Sequence, residues 1–510
     1  IVGGLKGAIN DDWDYDISYL YGSTSSSQAY LNDLLTNAIG IAVNGDACAA
    51  AAGCIPYEVF TYQGVTEEAA AALLGTAIST GKSSTRVING YVTGDTGWNI
   101  GNADSVMVAA GWEHRTEAYE RLSDTIFQQG ALAGQGGPTT GVSGSYNVLE
   151  FFGEANIPLL TNVTGAQALN LDLAYRYSDY STSGGTSTYR AGFDWQPIDM
   201  LRVRVGYNRA VRAPNVVELF STQSLGLWSG VDPCAGDTPV QTAAQCANSG
   251  VTPEQYGNIV ASPAGQYNGL FGGNPLLDPE KADTWTAGIV INPLDTMTIS
   301  VDYWSIDIDV TINNIGAPTI LEQCGLFGAL CDQVVRNPST GDIWRGTAGY
   351  VVDTTINLGN NKWEGIDLAF NWAADWAAGT WTTNVIGTYA MTKETTPLPA
   401  SADSTYDCVG LASDRCFPSP KWRHTASVDY DSNEWWSVGL RWRYFQGVDY
   451  DGSTDQIAQD ELSSAQNYID LNAVFRFMEN HDIVLGVNNI FDKEPPMVGG
   501  TLTTNANTYE

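Results

Sequence analysis

Apolar and polar residues trade places every second position over much of this chain. In residues 169–177 the odd positions are Leu169, Leu171, Leu173, Tyr175 and Tyr177, and the even ones are Asn170, Asp172, Ala174 and Arg176. Residues 201–207 and 436–444 divide by parity in the same way. Successive side chains of a strand point to opposite faces, so this period predicts β-strands with one apolar and one polar face. Read in order, strands are expected at 5–8, 15–22, 86–93, 105–121, 146–158, 169–177, 186–195 and 201–220. Further strands are expected at 282–291, 297–310, 350–372, 381–392, 421–430, 436–444, 469–477 and 483–491, about sixteen in all. A long insertion is expected from about Gly22 to Gly81, holding one short helix at 66–74, with Thr66 as its cap and Glu67 and Glu68 in its first turn.

The parity slips once. Ile299, Val301 and Tyr303 are odd, whereas Ile306, Ile308 and Val310 are even. A β-bulge near Trp304 explains that, and so does a strand leaving an environment that enforces facing. Connections of a few residues alternate strictly with much longer ones, and Trp13, Trp195, Trp376, Trp381 and Trp436 flank the short ones. Several strands sustain about nine or more residues, enough to cross a bilayer at a tilt. Alternation alone does not separate a soluble sandwich from a membrane barrel. Strand length and the asymmetry of the connections favour the barrel.

Four stretches carry a resemblance. They are Arg209-Ala-Val-Arg-Ala-Pro-Asn-Val-Val-Glu-Leu-Phe220, Gly273-Asn-Pro-Leu-Leu-Asp-Pro-Glu-Lys-Ala-Asp-Thr-Trp285, Trp363-Glu-Gly-Ile-Asp-Leu368 and Val487-Asn-Asn-Ile-Phe-Asp-Lys-Glu-Pro-Pro496. In this order they resemble the TonB-dependent outer-membrane receptors, with Arg209, Arg212, Pro214 and Glu218 as the family signature. The resemblance implies an all-β, transmembrane antiparallel β-barrel of 22 strands with long extracellular loops and short periplasmic turns, preceded by a plug. Residues 1–510 are then expected to be a partial barrel domain, with the plug, the TonB box and about five strands falling before Ile1 and one strand after Glu510. It also implies import of a nutrient (a siderophore, cobalamin, an oligosaccharide or similar) driven by the TonB–ExbB–ExbD complex. Outer-membrane lipid and lipopolysaccharide would be its surroundings. A passive porin-like channel and a soluble secreted glycan-binding β-protein stay open as alternatives.

The chain has 510 residues, 54 of them Gly, 25 Tyr and 16 Trp, with only 16% charged residues, which suits a β-rich protein banded with aromatics. Its net charge of −34, from 23 basic and 57 acidic residues, argues against nucleic acid as a partner. Solvated acidic loops are the plain reading of that charge; divalent cations bridging such loops to anionic head groups are the sharper one. The chain holds no apolar run of about 18 residues, hence no candidate transmembrane helix.

No hydrolase, P-loop, dinucleotide or zinc-ligand pattern is present. His114, His424 and His481 lie far apart, and Asp302 falls on the opposite face from Asp307 and Asp309. An enzyme, a metal site and a bound cofactor are therefore not expected. The eight cysteines fall as Cys48 with Cys54, Cys234 with Cys246, Cys324 with Cys331, and Cys408 with Cys416. Strands separate each pair from the next, so sequential disulfides are the simplest pairing, and all four sit in long loops, as suits an oxidising compartment. A continuous helix would hold Cys324 and Cys331 about 10 Å apart, so a break at Gly325 or Gly328 is expected. Trp228, Tyr256, Tyr267 and Phe271, in the loop after Phe220, are the candidate ligand contacts; the plainer alternative is that they pack the loop on itself.

Overall fold

A computed structural model describes residues 1–510 apart from 136, 399–403, 414–415, 452–461, 478–480 and 497–510. Its frame is a run of long strands: β1 (Val2–Ala8), β2 (Trp13–Leu34), β3 (Leu74–Asn99), β4 (Ser105–Ser123), β5 (Val142–Val163), β6 (Ala166–Tyr180), β7 (Gly184–Ile198) and β8 (Leu201–Arg212). The run continues with β9 (Glu280–Leu294), β10 (Met297–Asp309), β11 (Asn360–Trp376), β12 (Gly379–Thr396), β13 (Trp422–Asp431), β14 (Trp436–Phe445), β15 (Gln466–Arg476) and β16 (Asp482–Val487). Each pairs antiparallel with the next, giving an unbroken up-and-down meander. The piece Tyr406–Asp407 adds to β12 and brings the sheet to 17 strands. Among the described residues no pairing joins β1 to β16.

The register fixes the two faces. Val203 lies opposite Ile289, Ile289 opposite Val301 and Val301 opposite Leu368, while Leu171, Phe193 and Val205 form another such row. One residue along, Arg204, Gly288, Asp302 and Asp367 make a row on the other face. That polar face is laced by ion pairs: Arg202–Asp194 at 2.6 Å, Arg204–Asp302 at 2.7 Å, Arg476–Asp431 at 2.6 Å and Arg443–Asp470 at 3.0 Å. Arg204 reaches Asp302 over a whole strand because Gly288 lies between them; a Cβ there would collide with the Asp302 carboxylate. The apolar face is bordered by aromatics at both edges. Trp376, Trp381, Tyr430 and Trp436 are spaced 6.3, 4.9 and 5.3 Å apart beside the short turns. Tyr189, Tyr207 and Trp285 follow at 6.0 and 4.7 Å toward the other edge.

Connections alternate between the edges. All four cysteine pairs fall in connections at the same edge, after β2, β8, β10 and β12. One connection at that edge departs from the expected length, since only 181–183 join β6 to β7.

Other expectations need correction. The insertion after Gly22 is far shorter than read, because β2 and β3 keep pairing from Ser23 opposite Ser84 to Tyr30 opposite Ala77. The Ser-rich stretch has no apolar parity to read, but a backbone ladder needs none. Pairing stops at Arg212, just ahead of Pro214, whose missing N–H sets the expected limit, and the stretch read as running out at Phe220 is instead a short helix, Val216–Phe220, capped by Asn215. Residues 350–357 leave the main sheet for smaller ones. No bulge interrupts β10 at Trp304. The parity slip instead reflects facing that is no longer enforced, with Ile306 and Ile308 on the polar face and Asp307 and Asp309 on the other. The helix expected at 66–74 is present as Glu67–Ala72, with the Thr66 side chain accepting from Ala69 N. The last residues read, 497–510, lie outside the described ones.

Candidate functional site

At the end of β8 the two longest family stretches meet. The Arg212 guanidinium donates to both Glu280 oxygens at 2.7 and 2.9 Å and to both Glu218 oxygens at 3.0 Å. Each carboxylate also accepts from a backbone N–H: Glu218 from Asn215 at 2.8 Å and Glu280 from Ile312 at 2.6 Å. Asn215 caps the helix in return, accepting from the N–H groups of Val217 and Glu218. Beneath this clamp Leu219, Leu277 and Ile312 pack together, all buried. Arg212, Pro214 and Glu218 therefore end one strand and tie it to β9 and, through Glu280, to the chain just past β10. Arg209 faces away from the clamp and pairs with Asp283 at 3.3 Å. A cavity of about 360 Å³ opens beside the clamp, lined among others by Arg121, Glu218 and Phe271.

Above the sheet edge, residues 213–279 and 310–359 merge into one cap. Its sheet pairs Ser224–Ser229 with Gln266–Phe271, then with Tyr350–Val352 and Val334–Val335. Trp228, Tyr267, Ile320, Leu321, Val334, Ile343 and Val351 form its core. Arg336, from the second loop, donates to both oxygens of Asp232 in the first at 2.8 and 3.0 Å, to Ser249 Oγ and to the Gly341 carbonyl. Both partners of this ion pair are buried, with 4% and 0% of the side chain exposed.

Of the aromatics chosen as ligand contacts, Tyr267 is 2% and Trp228 9% exposed, their rings stacked 5.0 Å apart inside this core. Tyr256 packs beside Cys234 and Cys246 and donates its hydroxyl to the Gln241 carbonyl. Phe271 packs against the cap core and also borders the clamp cavity. Each thus has a packing role in the loop, and Phe271 alone of the four lines that cavity.

The structure joins Cys48 to Cys54, Cys234 to Cys246, Cys324 to Cys331 and Cys408 to Cys416. The helix Ala317–Phe327 runs through Cys324 and Gly325 and stops at Gly328, which takes the left-handed conformation at φ +67°. That reversal returns the chain and brings the two Cα atoms to 4.7 Å. His114, His424 and His481 remain on separate strands or turns. His424 lies on the apolar face, stacked 5.0 Å from Tyr444. Asp302 is held by Arg204, on the opposite face from Asp307 and Asp309.

The residues that reading by motif passed over are those that act across strands. Glu280 stands inside a quoted stretch, yet only the register shows it beside Arg212. Asp232 and Arg336, 104 positions apart, left no local signal.

The family model for the TonB dependent receptor-like β-barrel matches residues 3–490. Solved structures share the architecture. The ferric enterobactin receptor PfeA of Pseudomonas aeruginosa is 15% identical with a TM-score of 0.54, the match covering 97% of this chain and 57% of that one. The siderophore receptor PirA from Pseudomonas aeruginosa is 13% identical at a TM-score of 0.50, over 97% of this chain and 67% of that one. FpvA of P. aeruginosa, solved with heterologous pyoverdines, is 13% identical at 0.52, over 96% and 52%. The chain thus spans 52 to 67% of the length of these three receptors, and at such identity the likeness is one of fold. No curated protein matches its sequence. The two-faced meander, the clamp built from two signature stretches and a family match over nearly the whole length lead to one conclusion: the chain belongs to the TonB-dependent receptor family, as its transmembrane β-barrel.

Proposed function

We propose that this chain forms the barrel of an outer-membrane importer that takes up a small nutrient with energy from the TonB–ExbB–ExbD complex. The observation that carries the reading is the division of the sheet into an apolar face between two aromatic rows and an ion-paired polar face. On β12 the apolar face runs from Trp381 to Tyr389, about 27 Å along a strand. At a ~40° tilt that is about 20 Å across a membrane, near the ~25 Å apolar band of outer-membrane barrels. Phe193 is 50%, Trp285 55% and Leu485 57% exposed on this face, which suits lipid and speaks against a soluble sandwich. The polar face then lines the lumen, and the disulfide-bearing edge with its cap is the extracellular one. Barrel charges paired across strands support a lumen filled by water, ligand or further protein.

A ferric siderophore is the cargo to test first, since all three receptors compared above are siderophore receptors. The full-length protein that contains this chain, expressed in an outer membrane, should take up iron from the siderophores of its growth medium in a tonB⁺ strain and lose that uptake on tonB deletion. Uptake that persists without TonB would replace the import reading with the passive channel.

A further inference from the structure

We propose that a cavity on the polar face between β10, β11, β12 and β13, closed by residues 418–420 of the loop after β12, binds an anion that carries a flat aromatic ring. The proposal deepens the import reading, which it needs only for placing this face toward the lumen. The cavity measures about 350 Å³ and is lined by Trp304, Trp363, Thr388, Lys393, Ser419 and Arg423 among others. That size lies at the lower end of small-ligand sites.

Its charge sets it apart. In a chain of net charge −34, most arginines of the polar face are spent on carboxylates, as Arg202, Arg204, Arg443 and Arg476 are. Lys393 and Arg423 are not. Lys393 Nζ donates to the Ser419 hydroxyl at 2.7 Å, and among the described residues neither cation has a carboxylate within ion-pair distance. Asp367, in the same row as Arg423 with Thr388 between them, accepts from the Thr388 hydroxyl instead. Two cations of like sign sharing one cavity repel each other, and an anion seated between them removes that repulsion while gaining charge-assisted hydrogen bonds.

The indoles supply the second half of the site. Trp304 lies over Gly365, where a Cβ would approach its ring to 2.5 Å, so the glycine of the Trp363–Leu368 stretch is the floor on which this ring rests. Trp363 stands one strand over from Trp304 on the same face, 37% exposed although large and apolar. A flat ring fits beside the two indoles, with its acidic group toward Lys393 and Arg423. Thr388 and Ser419 add hydroxyls that donate or accept.

The test uses the full-length protein, purified in detergent, with naphthalene-2-sulfonate as probe and calorimetric titration as readout. Methanesulfonate supplies the charge without the ring, and 2-naphthol the ring without the charge; both should bind at least about tenfold more weakly. Changing Lys393→Gln together with Arg423→Gln should weaken probe binding by about thirtyfold or more, as expected for hydrogen bonds to a charged group. Trp363→Ala should weaken it by about tenfold. Arg190→Gln, on the polar face of β7 away from the cavity, should leave it unchanged, and heat-modified gel mobility reports that each variant is folded. Equal affinity in the wild type and the double variant overturns the proposal. So does a full-length protein that binds no probe while the double variant loses thermal stability, which assigns the cations to a carboxylate elsewhere in that protein. Binding is read without energy coupling, so loss of this site and failure of TonB-dependent uptake are separate outcomes.

Discussion

Replacing Arg336 by methionine removes four hydrogen bonds from the centre of the cap and strands the Asp232 carboxylate, of which none is exposed, with only the Cys234 N–H still donating to it. Breaking one side of a buried ion pair costs about 3–5 kcal/mol, because a charge is left desolvated and unpaired. At 1.4 kcal/mol per factor of ten, that raises the population of opened cap by about a hundredfold to several thousandfold. Both disulfides of the cap stay closed, and the barrel beneath is untouched. Amide hydrogen exchange of Gln266–Phe271, whose Asn268 N–H bonds Ile343 across the two loops, reports the opening directly. The variant should lose protection there by that factor while amides in β10 and β11 keep theirs. Adding Asp232→Asn to Arg336→Met should recover at least half of the loss, since no buried charge remains. Protection within threefold of wild type in the single variant, or no recovery in the double one, would refute the claim that this pair couples the two loops.

Three further outcomes follow from the same geometry. Peptide mapping without reduction should return four bridges, each within one loop, and any free thiol among the eight cysteines would contradict the pairing. Arg212→Ala should destabilise the protein by about 1–3 kcal/mol, because Glu218 and Glu280 lose their shared cation while still held by Asn215 N and Ile312 N, whereas Arg209→Ala should cost under about 1 kcal/mol, since Arg209 reaches one carboxylate only, at 3.3 and 3.5 Å, and Asp283 keeps the Tyr207 hydroxyl; a larger effect at Arg209 in thermal unfolding would reverse the assignment. Burial raises the Asp353 carboxyl above its ordinary 3.8, against N–H donation from Gly316 that lowers it. Its native state thus holds the proton more tightly than the unfolded one, so cap stability is highest below 3.8 and falls as pH rises through the raised value, a slope that Asp353→Asn should abolish in exchange measured across pH 4 to 7.

Much of the frame was legible because a strand with one apolar face repeats every two residues. Leu169 to Tyr177 and Leu201 to Tyr207 announce their facing without any partner strand. Ser23 to Ser27 announce nothing, since their pairing rests on backbone groups that every residue carries. The clamp was half legible. Arg212, Pro214 and Glu218 stand close together in sequence, but Glu280 reaches them only through the register of β8 with β9. The cap was only faintly legible: Trp228 and Tyr267 read either as ligand contacts or as aromatics packing their own loop, and nothing in the sequence showed that a second loop supplies Ile343 and Val351 to cover them. Long-range burial of that kind has no period. Cys324 and Cys331 lie between these cases, because the required helix break was deducible, although it falls at Gly328 and leaves Gly325 in the helix.

On the import reading, the face bearing Leu171 meets lipid and the face bearing Asp172 does not. Leu171 lies opposite Ile157 and Phe193, whereas Asp172 accepts from the Asn156 amide at 2.7 Å on the polar side. An arginine at mid-depth on a lipid-facing position costs about 2–4 kcal/mol, and on the lumen face far less. The direct measurement is the yield of folded, heat-modifiable protein in outer-membrane fractions of cells expressing Leu171→Arg or Asp172→Arg. Leu171→Arg should deplete the folded band severely while Asp172→Arg stays near wild type; equal yields, or the reverse order, would contradict this facing.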